Sequence, residues 1–394
     1  MTAPAFRHDP VKSLLRAGET GKFHWDREPI VCGYQMLTFD DPRGGPPLEV
    51  PVSATPAVIP GVGVVVASDD GFVRLFKQGL TKFFWQRKLN SAVYASLVVD
   101  AKRDRVVISG TNGRITCLDL RGNVVWSTDI GAPVFATPTV IPEADLLVIA
   151  AFHSRCVGLD LDTGVERFSV TLPEPWHATH GGSASHRDPY ASPAVTADGN
   201  IIICCAEHVL CLSPDGTQVW QREVGTGIKA SPVALHRTGE VAVCPVDGRC
   251  LFLDASTGEV RTQVFLGGKV VGSPAVSGTI LAAGVQSGRT WGMDIGTHEI
   301  AWMVDQGAPR SYTSYSVLPT GDFIATAERG NIICLRRDDG RFLWETSQVM
   351  GVPHHDPTMD ITPMAGTDGR MYCASYTGVV YEFRFQPMHE EEVP

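Results

Sequence analysis

The sequence has no long apolar run near its N-terminus and no concentrated stretch of basic residues. The first 21 residues, MTAPAFRHDPVKSLLRAGETG, contain no apolar stretch of seven residues or more, so we expect neither a signal peptide nor a transmembrane helix there. The net charge is -10, which argues against a protein that follows nucleic-acid phosphates. We therefore expect a cytoplasmic protein that binds neither membranes nor nucleic acid.

Three widespread catalytic motifs are also missing. The sequence contains no nucleophile elbow, no phosphate-binding glycine loop and no zinc-protease helix. Gly181-Gly182-Ser183 is expected to be a flexible turn, because no helical pattern follows it. Any chemistry must therefore come from residues that the fold brings together.

Cysteine is plentiful, at ten residues, but its placement does not indicate disulfides. Cys117, Cys211 and Cys334 each precede a leucine in an apolar run, and the adjacent pair Cys204-Cys205 lies in the middle of another. We expect these residues to be small buried hydrophobes in a reducing compartment.

A unit of about thirty residues dominates the chain. Residues 192–220 read SPAVTADGNIIICCAEHVLCLSPDGTQVW, in which four short apolar runs are separated by turn residues such as Ala-Asp-Gly and Pro-Asp-Gly. This pattern predicts a four-stranded antiparallel sheet. A sheet this small cannot bury either face alone, so it must stack on copies of itself.

The unit recurs eight times. Its inner-strand signature, typically Ala-Ser/Thr-Pro, begins at residues 54, 95, 136, 191, 230, 272, 313 and 361. The last copy has three strands before Phe385, and we expect Gly21–Trp25 to supply the fourth. The prediction is an all-β, eight-bladed β-propeller over residues 21–385, closed by an N-terminal strand that completes the C-terminal blade. Residues 1–20 are predicted to be a tail with a short helix, and 386–394 an acidic tail.

Several motifs carry a family resemblance. LDLDTG at 159–164, LDASTG at 253–258 and the GxxxW strand endings resemble the tryptophan-docking repeat of the pyrroloquinoline-quinone-type (quinoprotein alcohol dehydrogenase-like) eight-bladed propellers. That family contains dehydrogenases, scaffolds and proteins that bind no quinone. In its quinone enzymes the resemblance implies a vicinal cysteine disulfide over the cofactor and Glu, Asn and Asp ligands to calcium. Here Cys204-Cys205 lies in a strand and no matching ligand set is evident, so we expect no bound quinone.

Long connectors mark one face of the predicted ring. In such blades the connector from an outer strand to the next inner strand emerges beside the turn between the second and third strands, and we call this side the loop face. Three connectors are long, at about 26–53, 169–190 and 345–360. The second and third lead into blades four and eight, which lie half a turn apart. We therefore expect them to meet over the central funnel.

These two connectors hold the candidate catalytic residues. They are His177, His180, His186, Asp188, His354, His355 and Asp356. Histidine titrates near neutral pH and a neighbouring carboxylate orients its ring, so the set is suited to acid-base catalysis. The five histidines are also candidate ligands for a divalent metal, although the spacing of His177 and His180 is only weakly metal-like. A polar, water-lined loop without chemistry is the third interpretation.

Further residues on the loop face suggest a small-molecule pocket. The candidate substrate-binding residues are Trp176, Tyr190, Arg310, Tyr312 and Tyr315, since arginine can hold an anionic group and phenols can donate protons. Local packing is the alternative for the last three. His153 and His208 are expected to be turn residues. The glycine- and proline-rich segment Asp41–Pro47 is either a movable cover or a wrapped surface loop.

Three functional hypotheses follow. The leading one is a propeller that binds a small organic molecule in its funnel and transforms it by acid-base chemistry, such as a cyclisation, lyase or condensation step, without a cofactor. The second is a non-enzymatic scaffold for a protein partner, which predicts an exposed apolar patch. The third is a metal-dependent enzyme.

Overall fold

The computed structural model describes residues 22–59, 61–174, 188–286, 288–305, 314–346 and 359–389. Within these ranges, 34 strands form eight four-stranded antiparallel sheets and one two-stranded hairpin. The eight sheets are the blades of a propeller, which confirms the predicted fold class. A short 3-10 helix, Pro142–Ala144, lies between two strands of blade three.

The strands run in chain order through the blades, from the inner strand outward. Blades one to four comprise β4 Ala57–Ile59, β5 Gly63–Ala67, β6 Phe72–Lys77 and β7 Phe83–Lys88; β8 Val98–Asp100, β9 Arg105–Ser109, β10 Arg114–Asp119 and β11 Val124–Asp129; β12 Thr139–Ile141, β13 Leu146–Ala151, β14 Arg155–Asp160 and β15 Glu166–Thr171; β16 Ala194–Val195, β17 Ile201–Cys205, β18 His208–Leu212 and β19 Gln218–Glu223.

The second half of the ring repeats this order. Blades five to eight comprise β20 Val233–Leu235, β21 Glu240–Val243, β22 Arg249–Asp254 and β23 Val260–Phe265; β24 Ala275–Ser277, β25 Ile280–Gly284, β26 Thr290–Asp294 and β27 Ile300–Val304; β28 Ser316–Val317, β29 Phe323–Thr326, β30 Ile332–Leu335 and β31 Phe342–Glu345; β32 Met364–Ala365, β33 Arg370–Ala374 and β34 Val379–Arg384, with β1 Ile30–Met36 as the outer strand.

The inner-strand signature is explained by a belt of hydroxyl groups around the channel. In six of the eight blades the backbone N–H of the signature Ser or Thr donates to the side-chain oxygen of the same position in the next blade, whereas the hydroxyls of Thr55 and Ser96 have no hydrogen-bond partner among the described residues. The described links are Ser96 to Thr137 at 3.2 Å, Thr137 to Ser192 at 3.0 Å, Ser192 to Ser231 at 3.0 Å, Ser231 to Ser273 at 2.9 Å, Ser273 to Ser314 at 3.0 Å and Ser314 to Thr362 at 3.1 Å. Each link satisfies a buried backbone donor, so a hydroxyl residue recurs in every blade.

The GxxxW signature is explained at the outer edge. The indole N–H of Trp85 donates to Leu120 O of the next blade at 2.9 Å, and its ring covers Gly122. A Cβ on Gly122 would lie 2.7 Å from the Trp85 ring, and Gly122 also has φ +83°. Only glycine satisfies both conditions without strain. The same docking bond recurs from Trp126, Trp220, Trp302 and Trp344.

Three of the buried cysteines belong to this docking arrangement. Cys117, Cys211 and Cys334 lie directly opposite the docking tryptophans of their own blades, at Trp126, Trp220 and Trp344. The corresponding position in blade six is Gly292, where a Cβ would lie 2.0 Å from the Trp302 ring. A side chain at Gly292 would therefore overlap the docking ring. All ten thiols are free and nine are buried, as expected, while Cys32 is exposed.

The segment that closes the ring differs from the predicted one. The strand that completes blade eight is β1, Ile30–Met36, which pairs with β34, and not the segment around Trp25. Trp25 is buried, and its carbonyl accepts the Trp344 indole N–H at 2.9 Å. The motif around Trp25 thus marks a docking position, whereas the alternating apolar residues of β1 form the paired strand.

The described residues nearest to the two termini lie side by side beyond the closing strand. Phe23 bridges Pro387, and Met388 N donates to Lys22 O at 2.7 Å. The described part of the predicted C-terminal tail, 386–389, is therefore ordered beside residues 22–24. The predicted N-terminal helix lies outside the described residues. Among those described, no helix has the length and hydrophobicity needed to span a membrane.

Candidate functional site

Described connectors and turns share one face of the ring, as the sequence predicted, whereas most of the two connectors expected to meet over the funnel lies outside the described residues. Described connectors bond to the turns between second and third strands: Asp69 N donates to Pro51 O at 2.9 Å, and Ser154 N donates to Asp188 O at 3.2 Å. These bonds place both kinds of loop around the same mouth of the channel. The residues two positions before the signature hydroxyls therefore occupy equivalent places around this mouth.

Four aromatic rings form a continuous row there, which we call the aromatic wall. Tyr94 stacks on Phe135 with ring centroids 5.4 Å apart, and Phe135 stacks on Phe152 at 4.3 Å. Phe152 meets Tyr190 edge-on at 5.1 Å. Tyr94, Phe135 and Tyr190 are half-buried, so the wall keeps some exposed ring surface. The wall extends across the entrances to blades two, three and four.

The predicted residues Asp188 and Tyr190 meet at one end of this wall, together with Lys229. Lys229 Nζ lies 3.2 Å from Asp188 Oδ1 and 4.3 Å from the centroid of the Tyr190 ring. Asp188 is only 1% exposed, and the Lys229 side chain is largely covered. The ammonium group is thus held by a buried carboxylate and an aromatic face together. Lys229 was not predicted, although it precedes a signature serine by two residues.

Two more carboxyl groups lie on the same face and were not predicted. Glu207, in the turn between β17 and β18, is fully buried, and neither carboxylate oxygen has a hydrogen-bond partner. At the other end of the wall, Asp69 accepts a bond from Ser53 Oγ at 3.1 Å, while its Oδ1 has no partner. Burial raises the pKa of Asp69 to about 7. The signal that could have found both is an acidic residue in a loop-face turn.

The charged groups near Tyr190 all change the pKa of the Cys205 thiol. Burial raises the pKa of the Cys205 thiol first, and the charges of Asp188 and Glu207 raise it further, while Lys229 lowers it. These side chains therefore share one neighbourhood beneath the mouth. At the opposite end, burial and then the Asp69 charge raise the pKa of Tyr94, which places Asp69 beside the wall.

The predicted Tyr315 lies elsewhere. It is 2% exposed in the core between blades six and seven, and its hydroxyl is 2.5 Å from Thr290 Oγ1. Burial raises the pKa of its phenol well above the ordinary value. In this position the side chain packs the blades together and offers no surface to a ligand, which agrees with the local-packing alternative.

The other nine predicted site residues lie outside the described residues. They are Trp176, His177, His180, His186, Arg310, Tyr312, His354, His355 and Asp356. The acid-base and metal hypotheses that depend on these residues stay predictions. The turn residue His153 adopts φ +63°, and His208 begins β18.

The described residues do not match the quinone-site features that the family resemblance implies. Cys204 and Cys205 are neighbouring residues of β17 with free, buried thiols, so they form no disulfide over the funnel. Within the described ranges, no group of three or more His, Cys, Asp or Glu is placed to hold a metal ion.

The first long connector contains structure of its own. After β1 it forms a small hairpin of β2, Thr38–Phe39, and β3, Leu48–Glu49, with Asp41–Pro47 near its tip. Leu37 N donates to Gly378 O at 2.8 Å, which fixes the base of the hairpin to a loop-face turn of blade eight. Whether the tip moves as a cover stays a prediction.

A cavity opens on the side of the ring opposite the loop face, and we call this side the turn face. It has a volume of about 900 Å³ and is lined by inner strands and first turns of blades three to six, including Val140, Val195, Leu235 and Val276. His236 and Asp198 lie at its rim, and both are exposed. This cavity was not predicted, because the long connectors lie on the other face.

The outer edge where the ring closes carries an exposed apolar surface. We define the closure surface as Ile30, Tyr34, Met36, Phe39, Phe83 and Phe84. Four of the six exposed aromatic rings among the described residues belong to it, with Phe84 at 52% and Tyr34 at 62% exposure. A groove of about 480 Å³ runs between β1 and β7 and includes Met36 and Phe83. Both strands are edge strands of their sheets.

Comparisons with known proteins cover nearly the whole chain. A family model described as outer membrane protein assembly factor BamB matches residues 17–209 and 205–385. The curated factor BamB of Burkholderia pseudomallei is 24% identical over 243 residues, which cover 56% of this chain and 58% of that protein. The chain spans about half the length of the curated relatives that it matches.

Solved structures agree in fold. The crystal structure of BamB from Moraxella catarrhalis is 16% identical and superposes with a TM-score of 0.67, over 91% of this chain and 100% of that one. The quinohemoprotein alcohol dehydrogenase ADHIIG of Pseudomonas putida HK5 is 13% identical, with a TM-score of 0.65 over 92% and 77% of the two chains. At these identities the likeness is one of fold alone.

Proposed function

Because the chain belongs to the pyrroloquinoline-quinone-type propeller family whose model is described as outer membrane protein assembly factor BamB, we propose that it is a scaffold that binds a protein partner. Family membership favours this function over the enzymatic hypothesis. The observation that carries it is the closure surface. Exposed aromatic side chains grouped in one place are typical of protein-interaction sites.

The chemistry of the closure surface defines the partner. Residues 77–88 contain four basic residues, Lys77, Lys82, Arg87 and Lys88, and no acidic one, in a chain of net charge -10. Lys77 Nζ lies 4.8 Å from the centroid of the Phe84 ring. A partner that fits here presents apolar side chains flanked by carboxylates, since opposite charges guide association.

The backbone suggests how such a partner binds. Edge strands β1 and β7 carry N–H and C=O groups on their outer sides that no strand of their own sheets pairs. An extended segment can add to such an edge and place alternate side chains in the adjoining groove. We therefore propose an extended, acidic and apolar polypeptide segment as the partner.

The test uses a photo-crosslinking residue placed at Phe84 in the full chain, with Phe265 as the matched control. Phe265 is also exposed, at 67%, but lies in the outer strand of blade five. We expect a discrete crosslinked partner at Phe84, weakened about tenfold by a Phe83→Ser change and by an excess of acidic, apolar peptide. Equal crosslinking at Phe265 would contradict the proposal, as would resistance to the peptide.

Binding and acid-base conversion of a small organic molecule in the funnel remain a second candidate. The buried Asp188–Lys229 pair beside Tyr190 favours it, because buried charge near a channel mouth is typical of ligand sites. Alanine at His180, His186 and His355 distinguishes the two functions. A scaffold keeps its Phe84 crosslinks in that variant, whereas the small-molecule function loses ligand affinity or turnover.

Two further expectations accompany the proposal. We propose that the protein works without bound quinone, which the free thiols of Cys204 and Cys205 support. Reconstitution that yields quinone absorbance would contradict it. We also propose a cytoplasmic location, supported by ten free cysteines. Cell fractionation tests the location.

A further inference from the structure

The aromatic wall is a surface suited to positive charge. The face of an aromatic ring is electron-rich, so it attracts an ammonium or guanidinium group that lies over it. Lys229 already uses this property of Tyr190, with Nζ 4.3 Å from the ring centroid. Tyr94 and Phe135 stack in the same row and remain half-buried.

Carboxylate oxygens without partners lie at both ends of the wall. Asp69 Oδ1 is unpaired near Tyr94, and both oxygens of the fully buried Glu207 are unpaired in the neighbourhood of Asp188 and Lys229. A buried carboxylate without a donor is costly, and native proteins usually satisfy such groups with a ligand, an ion or water. The missing partner of a carboxylate is a donor, and a cationic donor forms the strongest bond.

An anionic ligand is disfavoured at the same place. Among the described residues the cation beside Tyr190 is Lys229, and Asp188 Oδ1 lies 3.2 Å from its Nζ. Within the same described part of the mouth, an anion would meet the carboxylates of Asp69 and Glu207. The described local chemistry therefore selects for positive charge.

We propose that the loop-face mouth of the channel binds an organic cation, an ammonium or guanidinium group that contacts the aromatic wall and pairs with Asp69 or Glu207. The group belongs either to a free polyamine or to a basic side chain of a protein. This site is distinct from the closure surface, on another part of the ring, and does not depend on partner binding there.

Isothermal titration calorimetry of the full chain at pH 8, where Asp69 is mostly ionised, tests the proposal. The probes are spermidine, N-acetylarginine amide and the dianion glutarate. We expect one or both cations to bind and glutarate to give no binding. Asp69→Asn or Glu207→Gln should weaken cation binding about tenfold, and Phe135→Leu about threefold. Binding of spermidine alone indicates a free polyamine, and binding of the arginine amide indicates a basic side chain.

The matched control is Asp198→Asn, which removes the same charge on the turn face, where Asp198 is exposed. It should leave both affinities unchanged. If Glu207→Gln does not fold, the partly exposed Asp69 still provides the charge test. Binding of glutarate in place of the cations overturns the proposal, as does failure of both cations to bind at millimolar concentration. Equal losses in Asp69→Asn and Asp198→Asn also overturn it, since they would indicate non-specific charge attraction.

Discussion

The funnel mouth and the closure surface differ in which side chains they bury and which they expose. At the mouth, charged groups such as Asp188 and Glu207 are buried, and aromatic rings stack on one another. At the closure surface, rings such as Phe84 are exposed beside basic side chains. Buried charge is kept only where neighbours or ligands compensate it, whereas exposed aromatic rings need a partner to cover them. The first region is therefore suited to a small cationic group and the second to a polypeptide.

The two regions are also expected to differ in how they affect stability and function. Side chains at the mouth interact with several blades, because the connectors of blades three to five converge there. Side chains of the closure surface project outward from edge strands. Substitutions at the mouth should therefore change the free energy of unfolding, and substitutions at the closure surface should change association only.

The largest effect is expected from Asp188→Asn. The change leaves the Lys229 ammonium without its carboxylate in a largely buried place, so the free energy of unfolding should fall by about 2 kcal/mol. Urea denaturation measures the loss. The control Asp198→Asn, at an exposed position, should change the value by less than about 0.5 kcal/mol. Equal effects would show that Asp188 has no special place in the mouth.

A smaller, pH-dependent effect is expected from Asp69→Asn. The folded-state pKa of about 7 lies above the ordinary value of 3.8, so the folded protein holds this proton more tightly than the unfolded chain. The stabilising contribution is complete below about pH 4 and is lost as the pH rises through 7. The variant should therefore unfold like the parent at pH 4 and be more stable by about 1 kcal/mol at pH 8. Thermal melts at both values check this, and a gain at pH 4 as large as at pH 8 would contradict it.

The smallest effect on folding is expected at the closure surface. Phe84→Ser should change the free energy of unfolding by less than about 0.5 kcal/mol, because the ring is 52% exposed. The same variant should bind the acidic, apolar peptide about tenfold more weakly in fluorescence anisotropy. Phe265→Ser should change neither quantity. A loss of stability in Phe84→Ser equal to that in Asp188→Asn would remove the distinction between the two regions.

The repeat made the fold predictable, while the site was predictable only in part. Eight signature hydroxyls and the GxxxW endings indicated eight blades, because each reports a contact that every blade must make. The closing strand was placed at Trp25, since a docking tryptophan was interpreted as a sign of strand pairing. On the loop face, Asp188 and Tyr190 were predicted from an unusual loop. Lys229, Glu207 and Asp69 were missed because their short loops look regular.

Local patterns along the chain are sufficient to establish an eight-bladed, all-β ring, because turn residues and alternating apolar runs act over a few neighbours. Contacts between blades do not follow from such local patterns. The Asp188–Lys229 pair joins residues 41 positions apart, and the groove between β1 and β7 exists only once the ring has closed. Such sites arise where loops of different blades converge, and only the packed ring determines which side chains are buried there and which stay exposed.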